Sequence, residues 1–319
     1  TLCPRNCGAD RTRVRGFCGE GAGLRLAAAS IHRGEEPPVT GRGGSGTIFV
    51  SGCGLGCVFC QNYQISCRNP ISRGNPVSRQ TGSGPAAMGR SVDAKEFTRI
   101  CLALEAKGAE NINIVTGSHA VPAVAGGIDA ARAAGLLIPV LWNSSAYENP
   151  RTLELLEGRI DGWLPDLKTL DPALADRFFH APDYPDAARA AVLKMLEIYS
   201  GSCGLFIIRH LVLPGCLEST RQVLRWFAEH AAGRAQLSLM TQYTPLEAPA
   251  ARNRRLNGEE YARVLDWLEE FGIEEGFCQE LVTDDGWLPD FRLPNPFPSQ
   301  SPGGEPLSVP VWHWKEGFV

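Results

Sequence analysis

Short apolar runs alternate with helix-period segments about six times between residues 45 and 272 of this 319-residue chain. Strand followed by helix, repeated in this way, predicts an α/β fold with a parallel sheet and right-handed crossovers. Six units fit an open doubly wound sheet or an incomplete barrel, and the pattern alone leaves both open. In either arrangement the active site is expected where the strands end. The six predicted strands are residues 47–51, 111–116, 137–142, 160–164, 205–213 and 236–240.

The segments between these strands carry helix start and stop signals. Asp93 followed by Glu96 is a capping-box pattern that opens an amphipathic segment, and Gly108 supplies its stop signal. Further helices are predicted on the same grounds at residues 152–156, 186–199, 220–231 and 259–271.

Three cysteines follow the first predicted strand directly, in the segment 51–63, which reads SGCGLGCVFCQNY. Cys53, Cys57 and Cys60 have the spacing C-x3-C-x2-C. Three thiolates on one tight loop can hold three irons of a [4Fe–4S] cube and leave the fourth iron open to a substrate. A catalytic zinc site likewise keeps one position free. A structural zinc loop and three buried thiols are the alternatives that the spacing leaves open.

Composition and charge limit the remaining function classes. A formal net charge of −4 gives no basic footprint for nucleic acid, and no run of 18 apolar residues predicts a membrane span. The start of the sequence lacks the charged and apolar regions of a secretory signal. Eleven cysteines, several in short-spaced clusters, favour metal binding in a reducing compartment. We therefore expect a soluble cytoplasmic protein without a nucleic-acid or membrane partner.

Two segments lie outside the alternating array. Residues 1–44 are rich in Cys, Gly and Arg and predict a Cys-containing metal-binding extension. Residues 283–319 are rich in Pro and Trp and predict an extended C-terminal tail. The central unit is then residues 45–282.

Sequence blocks on both sides of the thiol loop resemble a known family. Together with Phe59, the aromatic residue before the last cysteine of the loop, they resemble the radical S-adenosylmethionine (SAM) superfamily. The similarity is to its branch of pyruvate formate-lyase activating enzyme-like proteins, and it covers about residues 1–280. It implies a partial (β/α)6 barrel, a [4Fe–4S] cluster on Cys53, Cys57 and Cys60, and SAM bound to the open iron. The blocks are residues 32–49, 60–66, 108–116, 143–148, 164–168, 209–215 and 240–243.

The resemblance also implies roles for residues near the cluster and at the second strand. Phe59 and Tyr63 are expected beside the cluster, near the adenine, although ordinary core aromatics are an equal alternative. Thr116, Gly117 and Ser118 end the second strand, where relatives commonly carry Gly-Gly-Glu against the SAM amino group. That contact would here come from backbone carbonyls or from Ser118.

Later strand ends supply the other candidate SAM contacts. Asn143 and Ser144 are expected to hydrogen-bond the ribose, and Lys168 suits the SAM carboxylate as a point charge. Asp166 would hold Lys168 or the ribose, and an exposed charge pair is the alternative for these two residues. For His210, a satisfied core histidine is the alternative to a polar contact with SAM.

A second cysteine group lies near the start of the sequence. Cys3, Cys7 and Cys18 have metal-like spacing. Relatives show one more cysteine, which would stand just before Thr1, so we expect the fourth ligand outside the printed sequence, with Cys67 as a possible substitute. Zinc and a second iron–sulfur cluster both accept four thiolates, and a zinc-like structural site is the favoured prediction.

Three functional hypotheses follow. The first is reductive cleavage of SAM to methionine and a 5′-deoxyadenosyl radical, supplied with electrons by a flavodoxin or ferredoxin, which removes hydrogen from a glycine of a glycyl-radical enzyme. The family name covers proteins with different substrates, so radical modification of a small molecule or another peptide is the second. A zinc- or cluster-binding module without catalysis is the third, and it predicts no SAM binding.

Overall fold

The computed structural model describes residues 2–66, 88–199, 204–245, 254–281, 288–300 and 304–319. Its strands are β1 Leu24–His32, β2 Ser45–Val50, β3 Arg90–Val92, β4 Ile112–Val115, β5 Val140–Ser144, β6 Gly162–Pro165, β7 Ile207–Leu211, β8 Gln236–Met240, β9 Gly276–Cys278, β10 Ser308–His313 and β11 Gly317–Phe318. Its α-helices are α1 Pro37–Thr40, α2 Ala94–Ala106, α3 Val121–Ala133, α4 Pro150–Leu153, α5 Pro172–Phe179, α6 Tyr184–Ile198, α7 Leu217–His230 and α8 Gly258–Glu270.

Parallel strands form the centre of the molecule. One sheet has the parallel order β2-β4-β5-β6, and a second has the parallel order β7-β8-β9. Isolated parallel bridges pair Trp163 with Phe206 and Asp166 with Arg209, so the array continues from β6 to β7. The predicted α/β fold with a parallel sheet is confirmed. All six predicted strands are present, and β9 adds a seventh parallel strand within the described residues.

The two terminal segments add antiparallel strands to the edge of this array. β1 pairs with β2, β3 and β10, and β10 pairs with β11. Residues 24–32 of the predicted N-terminal extension are therefore part of the main sheet. The segment predicted as an extended tail contains Ser308–His313, which pair with the edge of β1. Without this pairing the backbone N–H and C=O groups of that edge would lack partners.

Helix signals in the sequence match most of the helices. Asp93 accepts a hydrogen bond from the Glu96 amide (2.7 Å) at the start of α2. The buried face of this helix is apolar, as the amphipathic pattern predicts, and consists of Phe97, Ile100, Cys101 and Leu104. The sequence prediction missed α1, α3 and α5. α3 contains Gly126 and Gly127, which lower helix propensity, and Gly127 lies so close to Phe97 of α2 that a side chain there would contact the ring.

A buried ion cluster joins β7 to the residues before α1. Arg209 donates from Nε to Glu36 Oε1 (2.9 Å) and from a terminal nitrogen to Glu35 Oε2 (2.6 Å). Burial opposes the charge of Arg209, but the two carboxylates outweigh it and raise its pKa. Removal of either the guanidinium group or the carboxylates would therefore leave a buried charge without a partner.

Among the residues that the structure describes, no helix is long and apolar enough to cross a membrane.

Candidate functional site

The thiol loop begins directly after β2, at the carboxyl end of the parallel array. Gly52 has φ +89° and its amide donates to the Ile65 carbonyl (2.7 Å), so the chain turns sharply as it leaves the strand. The Leu55 amide donates to Cys53 Sγ (3.4 Å). Amide donors of this kind tune clusters held by cysteine.

Burial dominates the electrostatics of two thiols of this loop. It raises the pKa of Cys57, although Lys168 opposes the shift. It also raises the pKa of Cys60 to about 11, with the neighbouring Cys53 adding to the shift and the Ser66 hydroxyl opposing it. A thiolate in this position therefore needs compensating positive charge, which bound metal supplies.

The three thiols fit an iron–sulfur cluster by their chemistry. They are soft donors on one loop, half-buried, with amide and hydroxyl groups directed at the sulfurs. Within the described ranges no group of three or more His, Cys, Asp or Glu side chains is arranged to hold a single metal ion. A cube of four irons and four sulfides is larger than one ion, so its thiolates stand farther apart.

Asp166 and Lys168 lie beside this loop, just after β6. Lys168 Nζ is 2.6 Å from Asp166 Oδ2, and their side chains are 15% and 23% exposed. Burial opposes the charge of Lys168, but Asp166 and then Cys57 outweigh it and raise its pKa. The Tyr184 hydroxyl accepts from the Lys168 amide (2.9 Å) and donates to the Asp166 carbonyl (2.9 Å), which fixes the backbone between the two charges.

The turn after β4 holds the three residues expected against the SAM amino group. Thr116 has φ +64°, a strained conformation for a β-branched residue, and its amide donates to the Asn143 carbonyl (2.9 Å). Gly117 lies against Trp142 so closely that a Cβ would overlap the indole ring. Ser118 is buried at the same turn. Thr116, Gly117 and Ser118 thus lie next to the end of β5.

Glu148 is a buried carboxylate at this position that the sequence reading did not single out. It accepts from Trp142 Nε1 (2.9 Å) and from Ser144 Oγ (2.8 Å). Burial raises its pKa, and the hydroxyls of Ser118 and Ser144 oppose the shift. Glu148 therefore ties the end of β5 to the loop that follows it and lies near Ser118 of the turn after β4, where the sequence lacks the glutamate of Gly-Gly-Glu. Its place in the block 143–148 was the available signal.

Asn143, Tyr63 and Phe59 differ in how far the protein encloses them. Asn143, at the end of β5, is half-buried, and so is Tyr63 in the thiol loop. Phe59 is 8% exposed, and its ring packs edge-on against Phe178 and Phe179 at centroid distances of 5.7 and 6.0 Å. This is the environment of a core aromatic.

His210 has partners within the protein for both ring nitrogens. Nδ1 is 2.7 Å from the Leu167 carbonyl, and Nε2 is 3.0 Å from Thr220 Oγ1. Burial lowers its pKa to about 4, so the ring is neutral. These contacts match the alternative of a satisfied core histidine.

The N-terminal cysteines lie near two glycines, one of them in the thiol loop. A Cβ built on Gly16 would be 3.5 Å from both Cys7 Sγ and Cys18 Sγ, and one on Gly54 would be 3.6 Å from Cys3 Sγ. Burial raises the pKa of Cys3, and that of Cys18 to about 11. For Cys7, backbone amide donors outweigh burial and lower the pKa. Thr1 and Cys67 lie outside the described residues, so the expected fourth ligand is not located.

Arg5 is a second residue that sequence reasoning missed. Its guanidinium donates to the carbonyls of Gly54 (2.9 Å), Leu55 (3.0 Å) and Phe179 (2.6 Å). It thereby ties the N-terminal segment to the thiol loop and to the last turn of α5. Its position two residues after Cys3 was the only local signal.

Comparison with known proteins gives one curated relative without a described function. The uncharacterized protein MJ0674 of Methanocaldococcus jannaschii is 28% identical over 279 residues, which cover 86% of this chain and 75% of the relative. No protein-family model matches the chain.

Several solved structures are similar at low sequence identity. SuiB of Streptococcus suis bound to S-adenosylmethionine is 17% identical, with a TM-score of 0.46 and coverage of 72% of this chain and 48% of SuiB. Native anSMEcpe with bound AdoMet is 12% identical, with a TM-score of 0.48 and coverage of 72% and 61%. QueE from Escherichia coli is 10% identical, with a TM-score of 0.44 and coverage of 85% and 97%. The chain spans about half the length of SuiB.

Proposed function

We propose that this protein is a radical SAM enzyme that cleaves S-adenosylmethionine reductively. The observation that carries the proposal is the position of the C-x3-C-x2-C loop. Its three thiols lie at the carboxyl end of the first parallel strand, and Lys168 is near enough to Cys57 to shift its pKa. Open α/β arrays bind ligands at that end of their strands. The similarity of the sequence blocks to the radical SAM superfamily supports the same conclusion.

The chain's own residues have separate tasks in this proposal. Cys53, Cys57 and Cys60 would hold a [4Fe–4S] cluster, which would supply the electron for reductive cleavage of the C5′–S bond of SAM. The products would be methionine and a 5′-deoxyadenosyl radical. Lys168 binds the SAM carboxylate, the turn at Thr116 binds the SAM amino group, and Asn143 binds the ribose hydroxyls.

An anaerobic activity measurement tests this function. The protein is reconstituted with iron and sulfide, treated with dithionite and SAM, and assayed for 5′-deoxyadenosine and methionine by mass spectrometry. We expect both products from the wild type and from Cys101→Ala, which removes a buried thiol on α2. Cys57→Ala should give neither. Equal product from Cys57→Ala and the wild type would contradict the proposal, as would none from the wild type, the result expected for a non-catalytic metal-binding module.

For the substrate we propose a glycine residue of a partner protein, as the resemblance to activating enzymes implies. The radical takes a hydrogen atom from the glycine Cα, so 5′-deoxyadenosine forms and the protein radical remains. A partner labelled with deuterated glycine should transfer deuterium into 5′-deoxyadenosine. Product without deuterium in the presence of the partner would favour a small molecule or another peptide instead.

We propose further that Cys3, Cys7 and Cys18 hold a second metal, with zinc as the ion that their sequence pattern favours. In the described residues these three side chains are not arranged around a single ion, so they would have to close around the zinc as it binds. Gly8 and Gly19 follow Cys7 and Cys18 and have φ of +66° and +81°, which lets backbone amides turn towards the sulfurs. Metal analysis of Cys7→Ser/Cys18→Ser should show about one zinc fewer per chain than the wild type. A loss of iron and sulfide would identify a second cluster. Sites of this kind need reduced thiols, which is consistent with a cytoplasmic location.

A further inference from the structure

The N-terminal segment carries positive charge on a protein that is acidic as a whole. Residues 1–25 contain five arginines and two carboxylates, a net charge of +3, whereas the whole chain carries −4. Four of these arginines, here called the arginine face, line one cleft of about 270 Å³: Arg11, Arg13, Arg15 and Arg25. The positive charge of this segment is thus concentrated around one concave surface.

Two members of the arginine face hold the segment in place and two project into solvent. Arg11 donates from Nε to the Glu20 carbonyl (3.2 Å), and Arg25 pairs with the Glu20 carboxylate (3.3 Å). The Arg13 side chain is 85% exposed and pairs only at the surface with Asp10, at 3.4 Å. Arg15 is also exposed. Exposed guanidinium groups bind carboxylates in a fork geometry.

The arginine face lies a short distance from the thiol loop. A Cβ on Gly16 would be 3.7 Å from the Arg11 side chain and 3.5 Å from Cys18 Sγ. The Cys18 carbonyl in turn accepts a hydrogen bond from the Cys53 amide (3.4 Å). A partner bound to the arginine face would therefore be separated from the thiol loop only by the segment that contains Gly16 and Cys18.

We propose that the arginine face is the docking site of an acidic one-electron donor protein, an inference that rests on the proposed function. The reaction consumes one external electron for each SAM cleaved. In the docked complex the donor is oxidised by one electron and the cluster is reduced by one. A substrate must reach the strand ends where SAM would bind, whereas a donor needs only a short path to the thiol loop. Opposite charges also steer such transient encounters.

Charge reversal tests this docking site. Arg13→Glu/Arg15→Glu reverses two exposed charges of the face. Arg42→Glu/Arg263→Glu makes the same change in net charge on exposed side chains elsewhere and serves as the matched control. Reduced flavodoxin is the probe, and stopped-flow absorbance follows its reduction of the reconstituted protein. We expect the first variant to be reduced about tenfold more slowly at low ionic strength, and the difference to shrink in high salt.

The remaining measurements separate docking from catalysis. Dithionite needs no docking surface and should support equal 5′-deoxyadenosine formation in all three proteins. Equal slowing of both double variants by flavodoxin, or slowing of neither, overturns the docking site. If dithionite and SAM give no product even with the wild type, the proposed function fails. Flavodoxin affinity by calorimetry then decides the docking site: a loss confined to Arg13→Glu/Arg15→Glu supports it, and equal affinities overturn it.

Discussion

Lys168 Nζ lies 2.6 Å from Asp166 Oδ2, and this ion pair stands beside the buried thiol of Cys57. Asp166 keeps Lys168 charged in a position where burial alone would favour the neutral amine. The Lys168 ammonium group is thus held next to three cysteines, whose thiols must lose their protons to bind metal. In the proposed function, the SAM carboxylate would meet this ammonium group.

Replacing Lys168 should weaken SAM binding. A hydrogen bond to a charged group contributes about 1.5–3 kcal/mol, so Lys168→Met should raise the SAM dissociation constant about 10- to 100-fold. Equilibrium dialysis with the reconstituted protein measures the constant. Lys95→Met, on the exposed side of α2, is the control and should leave it unchanged. An unaltered dissociation constant for Lys168→Met would remove Lys168 from the binding site.

Adding one methyl group at Gly117 should disturb the turn after β4. The new Cβ would overlap Trp142, and overpacking of this kind costs about 1–3 kcal/mol of unfolding free energy. Gly126, inside α3, has no atom within 4 Å of its Cβ position, so Gly126→Ala should instead stabilise the protein by about 0.5–1 kcal/mol. Urea unfolding measures both. Two variants with the same sign of effect would show that the turn relaxes around the methyl group.

Breaking the buried ion cluster should be far more costly than breaking a surface pair. Arg209→Met leaves Glu35 and Glu36 buried without a cation and should cost about 3–5 kcal/mol. The control Arg221→Met removes a partly exposed pair with Glu270 and should cost about 0–1 kcal/mol. Denaturant midpoints measured side by side provide the comparison. Similar losses in the two variants would mean that water reaches the Arg209 cluster.

Acid should destabilise the fold in part through His210. Burial lowers its pKa to about 4, whereas the unfolded value is near 6.5. The unfolded chain therefore binds the proton first, and stability falls as the pH drops from about 6.5 towards 4. His210 alone should contribute about 2 kcal/mol of loss between pH 7 and 5.

The His210→Gln variant checks this contribution. Its unfolding free energy should fall less between pH 7 and pH 5 than that of the wild type, whatever its stability at pH 7. His230→Gln, which changes an exposed histidine on α7, is the matched control for a histidine-to-glutamine change. The same pH slope in all three proteins would show that His210 is protonated in the folded state.

Local pattern was enough to predict six parallel strands, five of the helices and the thiol loop. The strand at residues 236–240 was predicted with its observed bounds, and Asp93 was identified as the helix cap that it is. Such signals reside in a few neighbouring residues, because period and capping depend on local backbone geometry. Because the C-x3-C-x2-C loop follows the first predicted strand directly, the sequence also predicted that the candidate site lies at the strand ends.

Contacts between distant segments were decided only by the tertiary structure. Arg5 reaches Gly54 and Phe179 at sequence separations of 49 and 174 residues. The pairing of β1 with β10 closes an edge with residues from opposite ends of the chain. These relationships leave no periodic trace, because a hydrogen bond or ion pair depends on where the folded backbone brings two groups. The sequence by itself thus determined six of the parallel strands, most of the helices and the candidate thiols, and tertiary packing decided which charges and carbonyls surround them.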